Sequence, residues 1–240
     1  MALKHRLDRF ISIKTGIPKR DVRYLLSQKR IEVDGQHPDS IHDIVDQFSH
    51  IALDGKVIQN QQRIYLMMHK PVGIVSATKD ARHRTVIDTL NDRQDFLNQA
   101  TIASLHIVGR LDLNTSGLLL LTNDSQWSSA LMSPDKKVAK VYDVRVKDTI
   151  SDGSIKAFEE GMYFAFEDVS TQPALLEKYD QTSARITLTE GKYHQIKRMF
   201  GRFRNQVLSL HRWKIGHIEL DTSLKPGDLR TLTQEEIRLN

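Results

Sequence analysis

Hydrophobic positions recur at two periods along this chain, and the change of period divides it. Leu3, Leu7, Phe10 and Ile11 fall at helical spacing. Gly16 stands where a helix closes in left-handed backbone, and Pro18 can open the next one. Val22, Leu25 and Leu26 form the apolar stripe of that second helix, with Lys19, Arg20 and Arg23 pointing away from it. "RIEVDGQ" alternates as a short strand and runs into an Asp-Gly turn. The polar stretch "QNQQR", residues 59–63, has no period and reads as a linker. The expected division is therefore a small unit over 1–60 and a larger one over 61–240.

Beyond the linker the pattern becomes strand-rich. Residues 64–68 read as an apolar strand, broken at Lys70-Pro71-Val72-Gly73, and 74–77 as a second. Leu118 to Leu121 is an apolar run of buried-strand character, followed by a helix over 124–132 capped by Asn123 or Asp124. "AKVYDVRV" alternates as a half-buried strand, "SDGSIKAFEEGM" reads as a helix and "SARITLTEG" as a strand. "KYHQIKRMFGRF" reads as a basic amphipathic helix, and "VLSLHRWKIGHIELD" as strand. Many strands with a few helices and no regular βαβ alternation predict an α+β fold with a largely antiparallel sheet. There is no internal repeat.

Composition narrows the chemistry. The 240 residues contain no cysteine, which excludes a disulfide framework, a thiolate metal site and a Cys nucleophile. The N-terminus is too charged for a signal peptide, and no apolar run approaches the ~20 residues that span a bilayer. The expectation is a cytoplasmic protein with no membrane partner. The net charge is +5, and its distribution says more than its size. Residues 1–30 hold nine Lys/Arg against two Asp, and residues 192–214 hold seven against none. Two such blocks, with His, Tyr and Trp interleaved, point to two contacts with a polyanion.

Several site types are missing from the sequence. There is no Gly-rich phosphate loop, no His-Glu-x-x-His and no Gly-x-Ser-x-Gly elbow. What stands out is "GRLDLNTSGLLLLTND", residues 109–124, where Arg110 and Asp112 sit in a tight polar loop before the leucine run. Read from the residues, Asp112 is a nucleophile, a base or a turn ion-pair partner of Arg110.

With its flanks, this stretch resembles the central motif of the RsuA-type ribosomal branch of the pseudouridine synthases. "KPVG" at 70–73, "KVY" at 140–142 and "EGKYHQIKRMF" at 190–200 resemble the family's other motifs in the family's order, and the likeness runs from about residue 64 to the end. Residues 1 to about 60 resemble an S4 RNA-binding domain. The resemblance implies isomerisation of a uridine in ribosomal RNA to pseudouridine, with no cofactor and no metal. It implies Asp112 as the catalytic carboxylate, Tyr142 as the aromatic under the target base, and Lys197 as the basic partner of Asp112. Ile196 becomes the apolar wall, and Arg110 fills the space of the flipped nucleotide. Lys70, Lys140 and His194 are assigned to substrate binding, and Lys19, Arg20, Arg23 and Arg30 of the S4-like unit to phosphates. The physical needs agree, since a stacked base must be extruded to reach a carboxylate and an aromatic face can hold it. A carboxylate walled by apolar strands also needs a nearby cation.

"TNDSQWSSALMSP" and "STQPALLE" resemble the small-subunit (16S rRNA) enzyme, although Gln172 stands where that pattern has Lys, and "ARHRTVIDTL" is more basic than the pattern. The expected partner is 16S rRNA, in an assembly intermediate, and the expected state is a monomer. The alternatives are a large-subunit enzyme of the same branch, a non-catalytic S4-type RNA binder, and a glycoside hydrolase pairing Asp112 with Asp124.

Overall fold

The structure, a computed structural model, describes residues 4–93 and 97–239. Leu3, the first residue of the predicted apolar stripe, lies outside the described residues. The chain forms two compact units, one of residues 1–63 with 124–126 and one of residues 64–123 with 127–240.

In the first unit two helices, Leu7–Thr15 and Lys19–Ser27, lie beside a three-stranded antiparallel sheet of Ile31–Val33, Ile51–Leu53 and Lys56–Gln59. Leu7, Phe10, Ile11, Val22 and Leu25 are buried with Ile31, Val45 and Ile51. Gly16 closes the first helix at φ 75°. Asp34 and Gly35 both take positive φ, 52° and 75°, the turn an Asp-Gly pair favours after a strand.

The second unit is built on a mixed sheet of nine strands among the described residues. Its main path runs Leu175–Lys178, Ser183–Leu188, Lys140–Val146, Val207–Ile215, Ser116–Thr122, Tyr65–Lys70 and Leu229–Thr231. Neighbours along this path are antiparallel except Val207–Ile215 beside Ser116–Thr122, which are parallel. The leucine run is explained by its place near the middle. Leu119 and Leu121 face the core that holds Leu66, Met68, Leu90 and Ile102, while Leu118 and Leu120 face a second core with Met67, Trp127 and Leu131. A strand covered on both faces reads as a continuous apolar run rather than an alternation.

Two expectations are corrected. Residues 74–77 form no strand; Val75 makes one isolated bridge to Thr85, and the Ser76 hydroxyl is committed to the Leu111 backbone. The segment is a pinned loop because its polar groups go to the neighbouring loop instead of a ladder. The basic helix expected over 192–203 is shorter, Gln195–Gly201, because His194 sits in left-handed backbone at φ 49° and the Lys192 N–H donates to Gln195 Oε1 in a turn. Two helices, Val86–Asn91 and Gln99–Ser104, were not anticipated; Thr85 forms a capping box with Asp88, and Asn98 caps the other. Among the described residues no helix is long and apolar enough to cross a membrane.

Candidate active site

Asp112 lies in the loop that joins the His106–Val108 and Ser116–Thr122 strands. Both strands pair with each other at Ile107–Leu121, so the loop projects from a doubly covered sheet. Its backbone is tied down at several points. The Gly73 N–H donates to the Leu113 carbonyl at 2.8 Å, and the Thr115 N–H to the Asp112 carbonyl at 3.1 Å. Ser76 Oγ both donates to the Leu111 carbonyl (2.8 Å) and accepts from its N–H (3.0 Å).

Two buried cations support the loop from within. Lys70 is fully buried, and its Nζ donates to the carbonyls of Pro71 (2.9 Å), Asp112 (3.1 Å) and Thr115 (2.8 Å). Burial pulls its pKa down to about 8; Asp112 opposes that pull, and the charges of Arg212 and Lys197 add to it. Arg212 is 1% exposed. Its guanidinium donates to the carbonyls of Leu118 (2.9 Å), Gly109 (2.5 Å) and Arg110 (3.4 Å), and to the Tyr142 hydroxyl at 3.4 Å. Gly117 makes room for this arrangement: at φ 108°, a Cβ there would stand 2.0 Å from the Arg212 carbonyl oxygen.

The carboxylate faces the other way. Lys197 Nζ donates to Asp112 Oδ2 at 3.2 Å, and His194 Nε2 approaches Oδ1 at 3.4 Å. Lys197 is carried by the Gln195–Gly201 helix, whose Ile196, Met199 and Phe200 are buried at i, i+3, i+4 spacing and turn Lys197 outward. Tyr193 is exposed and stacks on His194, with ring centroids 3.9 Å apart at 19°. Asp112, Arg110, Tyr142, Ile196, His194 and Lys197 line one cleft. The loop carboxylate, its cations, the aromatic and the apolar wall therefore meet in one place, although they come from segments up to 87 residues apart in sequence (Arg110 to Lys197).

Other expected site residues fall elsewhere. Lys70, expected on the substrate, is beneath the loop with all three ammonium donors used internally. Lys140 is 9% exposed and lines an adjoining cleft with Tyr142 and Arg212. Burial, and then the Arg212 charge, lower its pKa. In the first unit Lys19, Arg20 and Arg23 are exposed, whereas Arg30 is bound to Asp54 by two bonds of 2.6 and 2.7 Å. Asp54 belongs to the turn between the Ile51–Leu53 and Lys56–Gln59 strands, and both side chains of this pair are exposed. The Asp124 carboxylate accepts the Gln126 N–H at 3.0 Å and meets Arg63 at 3.4 Å. Sequence reasoning missed Arg212. Its signal was a charged residue at an inward position of an alternating strand, two places after buried Leu210.

A mainly antiparallel mixed sheet thus presents a loop aspartate in one cleft with a lysine and a tyrosine. Residues 64–201 match the RNA pseudouridylate synthase family, and the chain belongs to that family of RNA-modifying isomerases. It is 46% identical, over 97% of its length and 98% of the relative's, to the ribosomal small subunit pseudouridine synthase A of Pseudomonas aeruginosa. It is 37% identical, over 97% and 98%, to the protein of the same name from Escherichia coli K12. A solved pseudouridylate synthase matches its structure with a TM-score of 0.67 and 35% identity, over 97% of each chain.

Proposed function

We propose that this enzyme converts one uridine of small-subunit ribosomal RNA to pseudouridine, with Asp112 as the reacting carboxylate. The target follows the names of relatives that align over almost the whole chain. The role of Asp112 rests on one observation above all: its carboxylate faces Lys197 at 3.2 Å in the cleft that also holds Tyr142 and Ile196. The reaction breaks the N1–C1′ bond, turns the base and joins C5 to C1′. The proton lost from C5 is balanced by one gained at N1, so no co-reactant is consumed. Asp112 serves this as a nucleophile at C1′ or as the base of a glycal route. Tyr142 stacks on the flipped base, Ile196 walls it, and Arg110, exposed at the rim, takes its vacated place in the strand.

In this reading Lys70 acts through the loop rather than on the RNA. Residues 1–63 are an S4-like RNA-binding unit whose Lys19, Arg20 and Arg23 meet phosphates, while residues 64–240 carry the chemistry. The enzyme is a cytoplasmic monomer that needs no cofactor and meets its rRNA in an assembly intermediate. The test is tritium release from small- and large-subunit rRNA labelled at C5 of uridine, with wild type beside Asp112→Asn. Release by wild type alone from the small-subunit RNA is expected. Release from large-subunit RNA instead would overturn the target, and release by Asp112→Asn would overturn the role of the carboxylate.

A further inference from the structure

A second cleft shares Arg110, Tyr142 and Lys192 with the Asp112 cleft and continues to Lys140 and Arg212. Four cations line it, Arg110, Lys140, Lys192 and Arg212, and two of them are committed internally. Arg212 is held by backbone carbonyls, and Lys192 by the Ser170 carbonyl and Glu190. The carboxylate on the lining, Glu190, already accepts the Gln172 N–H at 2.7 Å and Gln195 Nε2 at 2.6 Å. Lys140 differs. It is 9% exposed, and its ammonium makes a single hydrogen bond among the described residues, 3.3 Å to the Val138 carbonyl, with no carboxylate within 4.0 Å. An enclosed ammonium with donors to spare, in a cleft whose carboxylate is occupied, is a site short of one anion.

We propose that Lys140 is the hook of an anion subsite for a phosphodiester of the RNA strand, next to the uridine held at Asp112. The ligand class rests on the proposed function, because an RNA threaded past Tyr142 is what delivers a phosphate here. The compact, strongly hydrated ammonium of Lys suits a phosphate oxygen as a point charge, and the cleft carries Arg110 to share the load. Burial lowers the proton affinity of Lys140, and an arriving phosphate restores it.

The experiment compares binding of a 16S rRNA fragment by the Asp112→Asn protein, with and without Lys140→Met or Lys140→Arg, across a salt series. Lys140→Met is expected to weaken binding about tenfold or more. It should also lower the magnitude of the salt slope by about 0.7 to 0.9, one phosphate's share. Lys140→Arg should keep the slope. A Lys140→Met slope equal to that of the parent would overturn the subsite. Should Lys140→Met fail to fold, single methylphosphonate substitutions along the fragment take its place: one position beside the target should weaken binding to the parent and to Lys140→Arg alike. If no position weakens binding, the subsite is wrong. The readout is binding, so it stands apart from the proposed function: an inactive wild type with an intact Lys140 slope effect would sink the uridine target and keep the anion site.

Discussion

Replacing Lys70 by methionine tests how the loop is supported, because two opposing terms depend differently on pH. The wild-type ammonium is fully buried, and its pKa falls from 10.5 to about 8. At about 1.36 kcal/mol per pKa unit, keeping it charged near neutral pH costs about 3.4 kcal/mol. Lys70→Met removes that cost. It also removes the donor from three carbonyls. Asp112 keeps the Thr115 N–H, so Pro71 and Thr115 bear most of the loss, at about 1–3 kcal/mol each. Near pH 7 the terms largely offset, and the variant should lie within about 3 kcal/mol of wild type. Above the folded pKa the sign is fixed. Between pH 8 and 10.5 the unfolded chain holds more protons at Lys70 than the folded one, so wild-type stability gains from this group as pH rises. The variant has no such gain. The difference in its disfavour should grow by about 3.4 kcal/mol across that window. Urea unfolding of both proteins at pH 7, 8, 9 and 10 measures it. A difference that stays flat with pH would refute the reasoning, because it would mean that Lys70 titrates alike folded and unfolded.

Gly117→Ala should cost about 3 kcal/mol or more in urea unfolding, since the new Cβ meets Arg212 backbone at 2.0 and 2.7 Å and φ is 108°. Gly109→Ala should cost less, about 1–2 kcal/mol, because its nearest neighbour is the flexible Met132 sulfur at 3.1 Å; equal costs at the two glycines would show that backbone crowding at Gly117 is not what matters. Lys197→Met should lower tritium release about a hundredfold or more at saturating RNA while circular dichroism stays native. A tenfold loss or less would remove Lys197 from the reaction. Thr85→Ala should cost about 1 kcal/mol through its capping box with Asp88, and an unchanged urea midpoint would contradict the cap.

The sequence showed the parts of the site that have a period or a motif. Leu118 to Leu121 announced a buried strand, and "KYHQIKRMFGRF" announced the basic amphipathic helix that carries Lys197. What it hid depends on long-range pairing. That residues 74–77 are a pinned loop follows from Ser76 meeting Leu111, 35 residues away, and no local pattern encodes that. That Lys70 lies under the loop follows from a six-residue ladder that pairs it with Gly117, where the first-motif lysine alone suggested an RNA contact. The late start of the basic helix was hidden in a single left-handed residue, His194.

The buried cations also explain why this loop can hold a charged carboxylate so close to an apolar core. The carbonyls of Gly109, Arg110, Asp112, Thr115 and Leu118 all accept from Lys70 or Arg212. These five acceptors therefore face fixed positive charge. The Asp112 side chain is turned the opposite way, toward Lys197 and His194. One residue is thus gripped by cations at both ends, its carbonyl by Lys70 and its carboxylate by Lys197. Such cations would not have to reorganise if Asp112 reacts as proposed. Arg212 extends the same support to the Tyr142 hydroxyl at 3.4 Å. Tyr142 and the Asp112 loop share this guanidinium as a common anchor, so Arg212→Lys should disturb both. The lysine keeps the charge but lacks the fork that reaches Leu118 and Gly109 together. Turnover of the labelled RNA should fall at least about tenfold in that variant. Retention of wild-type turnover would show that the loop and Tyr142 hold their places without a shared anchor.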